Sequence, residues 1–184
     1  NLGHISFRRK NYLEAKKYFN LAIFYGEDTG LIFYNMGLTL VRLNKPSESI
    51  NFFKKSISKK PNNDNFHYAL GNAYNILKLK DNAIREFKKT LTLNPKNTSA
   101  QNNMGVIFFE NEMDQLAEKA FLKTLQIDKN HAETYHNLAV LYAKKKNYKL
   151  AITNLKHYLT LKPLDFEKAK VLRIFEKNLV TTHD

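Results

Sequence analysis

The chain has 184 residues, of which 43% are hydrophobic, enough for the core of one ordinary domain or one short repeat array. The absence of cysteine excludes disulfides, thiol catalysis and cysteine-type zinc sites, and no apolar run approaches the ~20 residues of a membrane-spanning helix. The formal net charge of +13 raises the question of an anionic partner, but the cations are mostly lysines concentrated toward the two ends.

The first element, "NLGHISFRRKNYLEAKKYFNLA", is predicted to be a helix pair whose first helix lacks its beginning. Because the chain starts with Asn1 and shows no signal-peptide pattern, we expect a fragment or a processed form. The compartment is therefore open. A cytoplasmic location is favoured, while a signal or anchor upstream of residue 1 would place the protein in the periplasm or at a membrane.

A repeat of constant length runs along the chain. Glycines recur at a step of 34 residues, and one further step reaches a small alanine. Each of these positions is preceded by Leu or Met, and is followed by a small residue twelve positions later and by Phe or Leu sixteen positions later. A fixed period of this length indicates a repeat architecture. The signature positions, with the prolines that close three of the units, are Gly3, Gly37, Gly71, Gly105, Ala139, Pro61, Pro95 and Pro163.

Each repeat is predicted to contain two helices, as residues 64–95 illustrate. Apolar residues at helical spacing, among them Tyr74, predict a first helix that ends near Lys80. A second apolar series from Ala83 to Leu93 predicts another helix, which "NP" ends because proline cannot continue a helix.

Two local patterns refine this assignment. Gly71 belongs to neither of the glycine-rich phosphate-binding patterns, so its periodicity predicts a contact between paired helices. In "NHAE", Asn130 is predicted to cap the next helix, with Glu133 three residues on in a capping-box arrangement.

The residue types that bind metals or catalyse reactions do not occur at the spacings that known metal-binding and catalytic motifs require. None of the six histidines forms an HExxH motif or an i, i+4 pair, so we predict no metal site and no cofactor. Neither a Ser/His/Asp order nor a carboxylate pair can be recognised by spacing. We therefore predict no catalytic residue and a protein that is not an enzyme.

The repeat resembles the tetratricopeptide repeat family over nearly the whole chain. The Leu/Met–Gly pairs, the small–Phe pairs and the terminating prolines carry the resemblance. It implies an all-α, right-handed superhelical solenoid of antiparallel helix pairs. We expect about five repeats, the first incomplete, followed by a C-terminal capping helix and tail. The expected bounds are 1–29, 30–63, 64–97, 98–131 and 132–163 for the repeats, and 164–184 for the cap.

The capping helix is predicted because the pattern changes after Pro163. The position that should hold glycine holds Arg173, which is too large for close helix packing. An apolar stripe nevertheless continues, and a helix over residues 165–180 would cover the last repeat as such arrays require. A helix that docks onto a partner is the alternative. The stripe consists of Phe166, Ala169, Leu172, Phe175 and Leu179.

A second stripe on each first helix lies at offsets −6, −3, −2, +1 and +4 from the glycine position. In the tetratricopeptide family this stripe lines the concave groove that holds peptide segments. Asparagine recurs on it and carries both a donor and an acceptor for a peptide backbone, while tyrosine adds apolar area with a polar tip. The alternative is that these asparagines are idle. The predicted peptide-binding residues are Tyr34, Asn35, Tyr68, Asn72, Asn102, Asn103, Val106, Phe109, His136 and Asn137.

The predicted function is therefore that of a scaffold or adaptor that binds an extended peptide or a helix of another protein. A clamp for the carboxylate of a chaperone tail is disfavoured, because Glu133 stands where that clamp needs a cation. The alternative function is binding of an anionic surface, nucleic acid or membrane headgroups, through the lysine-rich ends. The lack of an arginine cluster disfavours this alternative, and we expect nucleic acid to be an unlikely partner. Self-association through exposed end faces is a further alternative.

Overall fold

A computed structural model describes residues 2–181, with side chains described as far as residue 177, and all regular structure within this range is α-helical. The predicted tail at 182–184 lies outside the described residues. The helices are α1 (Leu2–Arg8), α2 (Tyr12–Phe24), α3 (Gly30–Arg42), α4 (Pro46–Lys59), α5 (Asp64–Ile76), α6 (Lys80–Leu93), α7 (Thr98–Glu110), α8 (Asp114–Ile127), α9 (Ala132–Lys144), α10 (Tyr148–Leu161) and α11 (Phe166–Thr181).

The helices pack as consecutive pairs: α1 with α2, α3 with α4, α5 with α6, α7 with α8, and α9 with α10. α11 follows the fifth pair and packs on α10. The fold class is a repeat-helix solenoid. The chain separates into an N-terminal unit, Asn1–Asn97, and a C-terminal unit, Thr98–Asp184.

The repeated glycines lie against the repeated phenylalanines. A Cβ atom built on Gly71 would lie 2.7 Å from Cε1 of Phe87, and one built on Gly105 would lie 2.5 Å from Cε1 of Phe121. No real Cβ tolerates such distances, so the absence of a side chain lets the two helices of a pair approach closely. In the last repeat, Ala139 stands at the glycine position and the smaller Leu155 stands at the phenylalanine position.

The first helix of each repeat ends in a tight turn that the sequence pattern did not reveal. α5 ends at Ile76 rather than near Lys80, and Lys78 adopts a positive φ of 61°. The Lys78 N–H donates to the Asn75 carbonyl at 2.9 Å and the Leu79 N–H to the Tyr74 carbonyl at 2.9 Å, which is a Schellman arrangement. Positive φ values recur at the same step at Lys10, Asn44, Lys78, Glu112 and Lys146.

The predicted cap at Asn130 is wrong. α9 begins at Ala132 with His131 as its N-cap, and the Asn130 N–H donates to Oδ1 of Asp128 at 2.9 Å within the preceding turn. The Asp128 side chain orders this turn before the helix begins, which leaves Asn130 one position before the N-cap. His131 Nδ1 lies 2.9 Å from Oγ1 of Thr134 in the first turn of the helix.

α11 covers α10 with only part of the predicted apolar stripe. Leu172 and Phe175 are half-buried, and Phe175 packs on the core cluster that contains Leu138 and Tyr142. Phe166 is instead 68% exposed at the start of the helix, so its place in the covering stripe is wrong. The side chain of Leu179 lies outside the described residues.

Candidate peptide-binding face

In the N-terminal unit, the predicted tyrosines lie on α3 and α5 at the edge of the core. The Tyr34 ring stacks on Phe66 with centroids 5.0 Å apart, and the Tyr68 ring packs at a tilt on Phe87 at 5.8 Å. Burial is the largest cause that raises the pKa of Tyr34, and the charges of Tyr68 and Asp64 raise it further. At neutral pH both half-buried rings therefore present apolar faces, and the Tyr34 hydroxyl keeps its proton.

These tyrosines line a pocket of about 340 Å³ between α3 and α5. Its wall is largely aliphatic and aromatic, its polar side chains include two asparagines, and its single charged residue is Arg42 at the end of α3. A concave, mainly apolar site with a few polar groups is typical of ligand-binding pockets. The lining residues are Tyr34, Leu38, Val41, Arg42, Phe53, Tyr68, Ala69, Asn72, Asn75 and Ile76.

Asn35 lies beside this pocket rather than in it. It is half-buried on α3, and its backbone carbonyl accepts a hydrogen bond from Oγ1 of Thr39 at 2.7 Å. Of the four residues predicted in this unit, Tyr34, Tyr68 and Asn72 share one pocket and Asn35 does not. Arg42 and Ile76 were missed, because they lie at offset +5 from the glycine, one position beyond the stripe considered.

In the C-terminal unit, the predicted asparagines form a network between α7 and α9. Asn102 is only 7% exposed, and its Oδ1 accepts hydrogen bonds from Oγ1 of Thr134 at 2.9 Å and from Nδ2 of Asn137 at 3.0 Å. The side-chain oxygen of Asn102 therefore fixes the orientation of the Asn137 amide. Asn103 and Asn137 are half-buried and reach the surface on the neighbouring helix faces.

His136 adjoins the same network. Its ring lies 5.6 Å from the ring of Tyr158, and the Tyr158 hydroxyl donates to Oδ2 of Asp165 at 2.6 Å. Burial is the largest cause that lowers the pKa of His136, and the charge of Lys168 lowers it further. His136 therefore presents a neutral, partly exposed imidazole at neutral pH.

The apolar residues predicted in this unit lie on α7. Val106 and Phe109 are half-buried and pack on the core cluster that contains Phe121 and Leu138. The Phe109 ring is also covered by the ammonium of Lys144, whose Nζ lies 5.3 Å from the ring centroid and 2.9 Å from Oδ1 of Asp114. Phe109 is thus partly shielded by a cation that is itself paired.

Neither a metal site nor a membrane-spanning segment is found among residues 2–181. No group of three or more His, Asp or Glu side chains in this range is placed to hold a metal ion. None of the described helices is both long and apolar enough to cross a bilayer.

Comparison with known protein families identifies the family to which this chain belongs. Models described as tetratricopeptide repeat match residues 32–63 and 65–97 and, separately, 120–153. The chain belongs to the tetratricopeptide repeat family. Members of this family generally act as non-enzymatic scaffolds for protein interactions. No curated protein matches the chain by sequence.

Solved structures of tetratricopeptide repeat proteins share the fold at low sequence identity. MamA from Desulfovibrio magneticus, residues 41 to the end, is 19% identical with a TM-score of 0.81, over 90% of this chain and 93% of that one. The pilF protein of Pseudomonas aeruginosa is 16% identical with a TM-score of 0.83, over 96% and 82%. YrrB, described as a TPR protein with an unusual peptide-binding site, is 20% identical with a TM-score of 0.74, over 93% and 88%.

Proposed function

We propose that this tetratricopeptide repeat protein is a non-catalytic interaction module that binds an extended segment of another protein along its first helices. The pocket between α3 and α5 carries the proposal, because it is concave, mainly apolar and bordered by amides. The description of YrrB as peptide-binding supports the same class of ligand for this chain.

The lining of the pocket favours an uncharged segment with a bulky apolar side chain. Leu38, Val41 and Ile76 offer aliphatic contact, and the rings of Tyr34 and Tyr68 add flat apolar area. No carboxylate lines the pocket, and its one cation, Arg42, lies at the exposed end of α3. A charged side chain would lose its hydration in this pocket without gaining a partner of opposite charge, except at Arg42.

We assign recognition of the peptide backbone to the side-chain amides of Asn103 and Asn137 in the C-terminal unit. Asn137 is held by Asn102, so little side-chain entropy remains to be lost when a peptide docks. Asn103 and Asn137 are both half-buried, and each amide offers hydrogen-bonding groups without selecting a sequence. Asn102 is a positioning residue in this proposal, because it is buried and acts through Asn137.

The test uses peptides selected from a random display library by binding to the wild-type chain. Asn103→Ala together with Asn137→Ala should weaken the affinity of a selected peptide by about tenfold or more, since two hydrogen bonds are removed. A matched control is Asn20→Ala together with Asn51→Ala, two exposed asparagines on the backs of α2 and α4. Fluorescence anisotropy of the labelled peptide measures both. Unchanged affinity in the groove variant, or equal losses in both variants, would refute the amide contacts.

A further inference from the structure

The outer surface of the second helices in the N-terminal unit has an unusual composition. At offsets +14, +17, +18 and +21 from the glycine, all twelve positions on α2, α4 and α6 are exposed, and none carries a carboxylate. We call the six cations at these positions the basic face: Lys17, Lys54, Lys55, Arg85, Lys88 and Lys89.

The charges of the basic face are largely uncompensated. Lys17, Lys54, Lys88 and Lys89 form no ion pair with any residue in the described part of the chain. Arg85 lies 3.9 Å from a carboxylate oxygen of Glu86, but its side chain remains 68% exposed. Clustered cations without partners produce a positive potential that attracts an anionic surface.

The three helices that carry the basic face follow one another along the unit, because α2 and α4 both pack against α3 and α4 and α6 both pack against α5. Phe52 of α4 packs on the same core cluster as Ala22 and Ile23 of α2. α5 packs against both α4 and α6, which continues the same arrangement by one repeat. The cations therefore occupy the same exposed offsets on three successive second helices of one unit.

Exposed apolar side chains border this face on α2. Leu21 and Phe24 occupy two of the same offsets and are 41% and 80% exposed, and Tyr25 beside them is 79% exposed. The rings of Phe24 and Tyr25 meet edge to face with centroids 5.3 Å apart. Lysines attract anionic headgroups, and aromatic rings settle at the boundary between headgroups and acyl chains.

We propose that the basic face of the N-terminal unit binds the surface of a membrane that contains anionic lipids, with Phe24 and Tyr25 entering the headgroup region. Nucleic acid fits the surface less well. Arginine, which pairs with phosphate in bidentate geometry, supplies one of the six cations, and no aromatic ring stands among the lysines of α4 and α6 at these offsets to stack on a base. The first helices, which carry the proposed peptide contacts, use a different face of the unit.

Cosedimentation of the full chain with vesicles tests the proposal, using phosphatidylcholine alone and phosphatidylcholine with about one third phosphatidylserine. Wild type should bind only the anionic vesicles and should dissociate as salt rises from about 0.1 M to about 1 M. The variant Lys54→Gln/Lys88→Gln/Lys89→Gln should bind about 100-fold more weakly, since each lysine near such a surface contributes about fivefold. The control Lys129→Gln/Lys146→Gln/Lys162→Gln removes the same charge from exposed positions of the C-terminal unit and should bind as wild type.

A second pair of variants tests the apolar border. Phe24→Ser/Tyr25→Ser should weaken vesicle binding severalfold, whereas Leu164→Ser/Phe166→Ser, which removes similarly exposed side chains from the C-terminal unit, should not. The proposal is overturned if anionic vesicles do not bind, if the lysine control loses as much as the basic-face variant, or if the Phe24/Tyr25 variant binds as wild type. Binding to duplex DNA, but not to vesicles, that depends on the basic face would also overturn it.

Discussion

Gly71→Ala provides the sharpest test of how the repeats pack. The new Cβ would lie 2.7 Å from Cε1 and 2.8 Å from Cδ1 of Phe87, a ring that is 0% exposed and packed in the core. Overpacking of this kind costs about 2–3 kcal/mol, whereas alanine gains only about 1 kcal/mol over glycine in helix propensity. We therefore expect the variant to be less stable than wild type by about 1–2 kcal/mol.

Combining the variant with Phe87→Leu should remove most of the clash. The single change Phe87→Leu leaves a cavity beside Gly71, while in the double variant the alanine methyl fills part of that space. The double variant should be more stable than the sum of the two single changes predicts, by about 1–2 kcal/mol. Its residue pair reproduces Ala139 and Leu155 of the last repeat, each only 1% exposed.

Urea unfolding measures the stability of wild type, the two single variants and the double variant. Far-ultraviolet circular dichroism supplies the signal, because the chain contains no tryptophan. Gly26→Ala is the control: Gly26 has a φ of 88°, and a Cβ built on it would meet no atom within 4 Å, so the cost of the change should arise from the backbone alone. When Gly26→Ala and Phe87→Leu are combined, the destabilisation of the double variant should equal the sum of the two single effects. Additive effects at Gly71 and Phe87, or a stabilising Gly71→Ala, would refute the packing argument.

Four further variants probe local energetics. Lys78→Gly should raise the free energy of unfolding by about 1 kcal/mol by relieving the positive φ of 61°, and Asn44→Gly should gain less, because asparagine tolerates this conformation better; urea midpoints compare them. Asn102→Leu should cost about 1–3 kcal/mol in the same assay, because Thr134 and Asn137 both lose the buried amide oxygen to which they donate. Hydrogen bonds from Lys145 first, and then Tyr142, hold the pKa of Glu118 below its usual 4.5, so Glu118→Gln should be less stable than wild type at neutral pH. That difference should disappear as pH falls through the lowered pKa, and a pH series of thermal unfolding measures it.

The repeat was predictable because its strongest signals act through packing. A glycine and a phenylalanine sixteen residues apart indicate a close contact between two helices, and a proline after three of the second helices indicates where each of those helices ends. Such signals survive at Ala139 and Leu155, where both members of the pair change together.

The turns and the site were less predictable, for physical reasons. The turn after α5 carries Lys78 at positive φ, where glycine would be the recognisable signal, so the sequence pattern predicts a helix that continues to near Lys80. Asn102 shares the polarity of its neighbour Asn103, and nothing in the sequence states that Thr134 and Asn137 turn it into a buried acceptor. The sequence shows which hydrogen-bonding side chains are present, but tertiary contacts determine which of them remain available to a ligand.

The central claim is that the first helices carry the peptide-binding surface, and nuclear magnetic resonance of the 21.5 kDa chain tests it most directly. A peptide selected from the display library is titrated into the isotopically labelled protein, and the shifted backbone amides are mapped. The proposed function predicts that the shifts concentrate around Tyr34, Tyr68 and Asn72 in the N-terminal unit and around Asn103 and Asn137 in the C-terminal unit. Chemical-shift changes confined to the exposed faces of α4 and α6, or to the loops between helices, would contradict the proposed function.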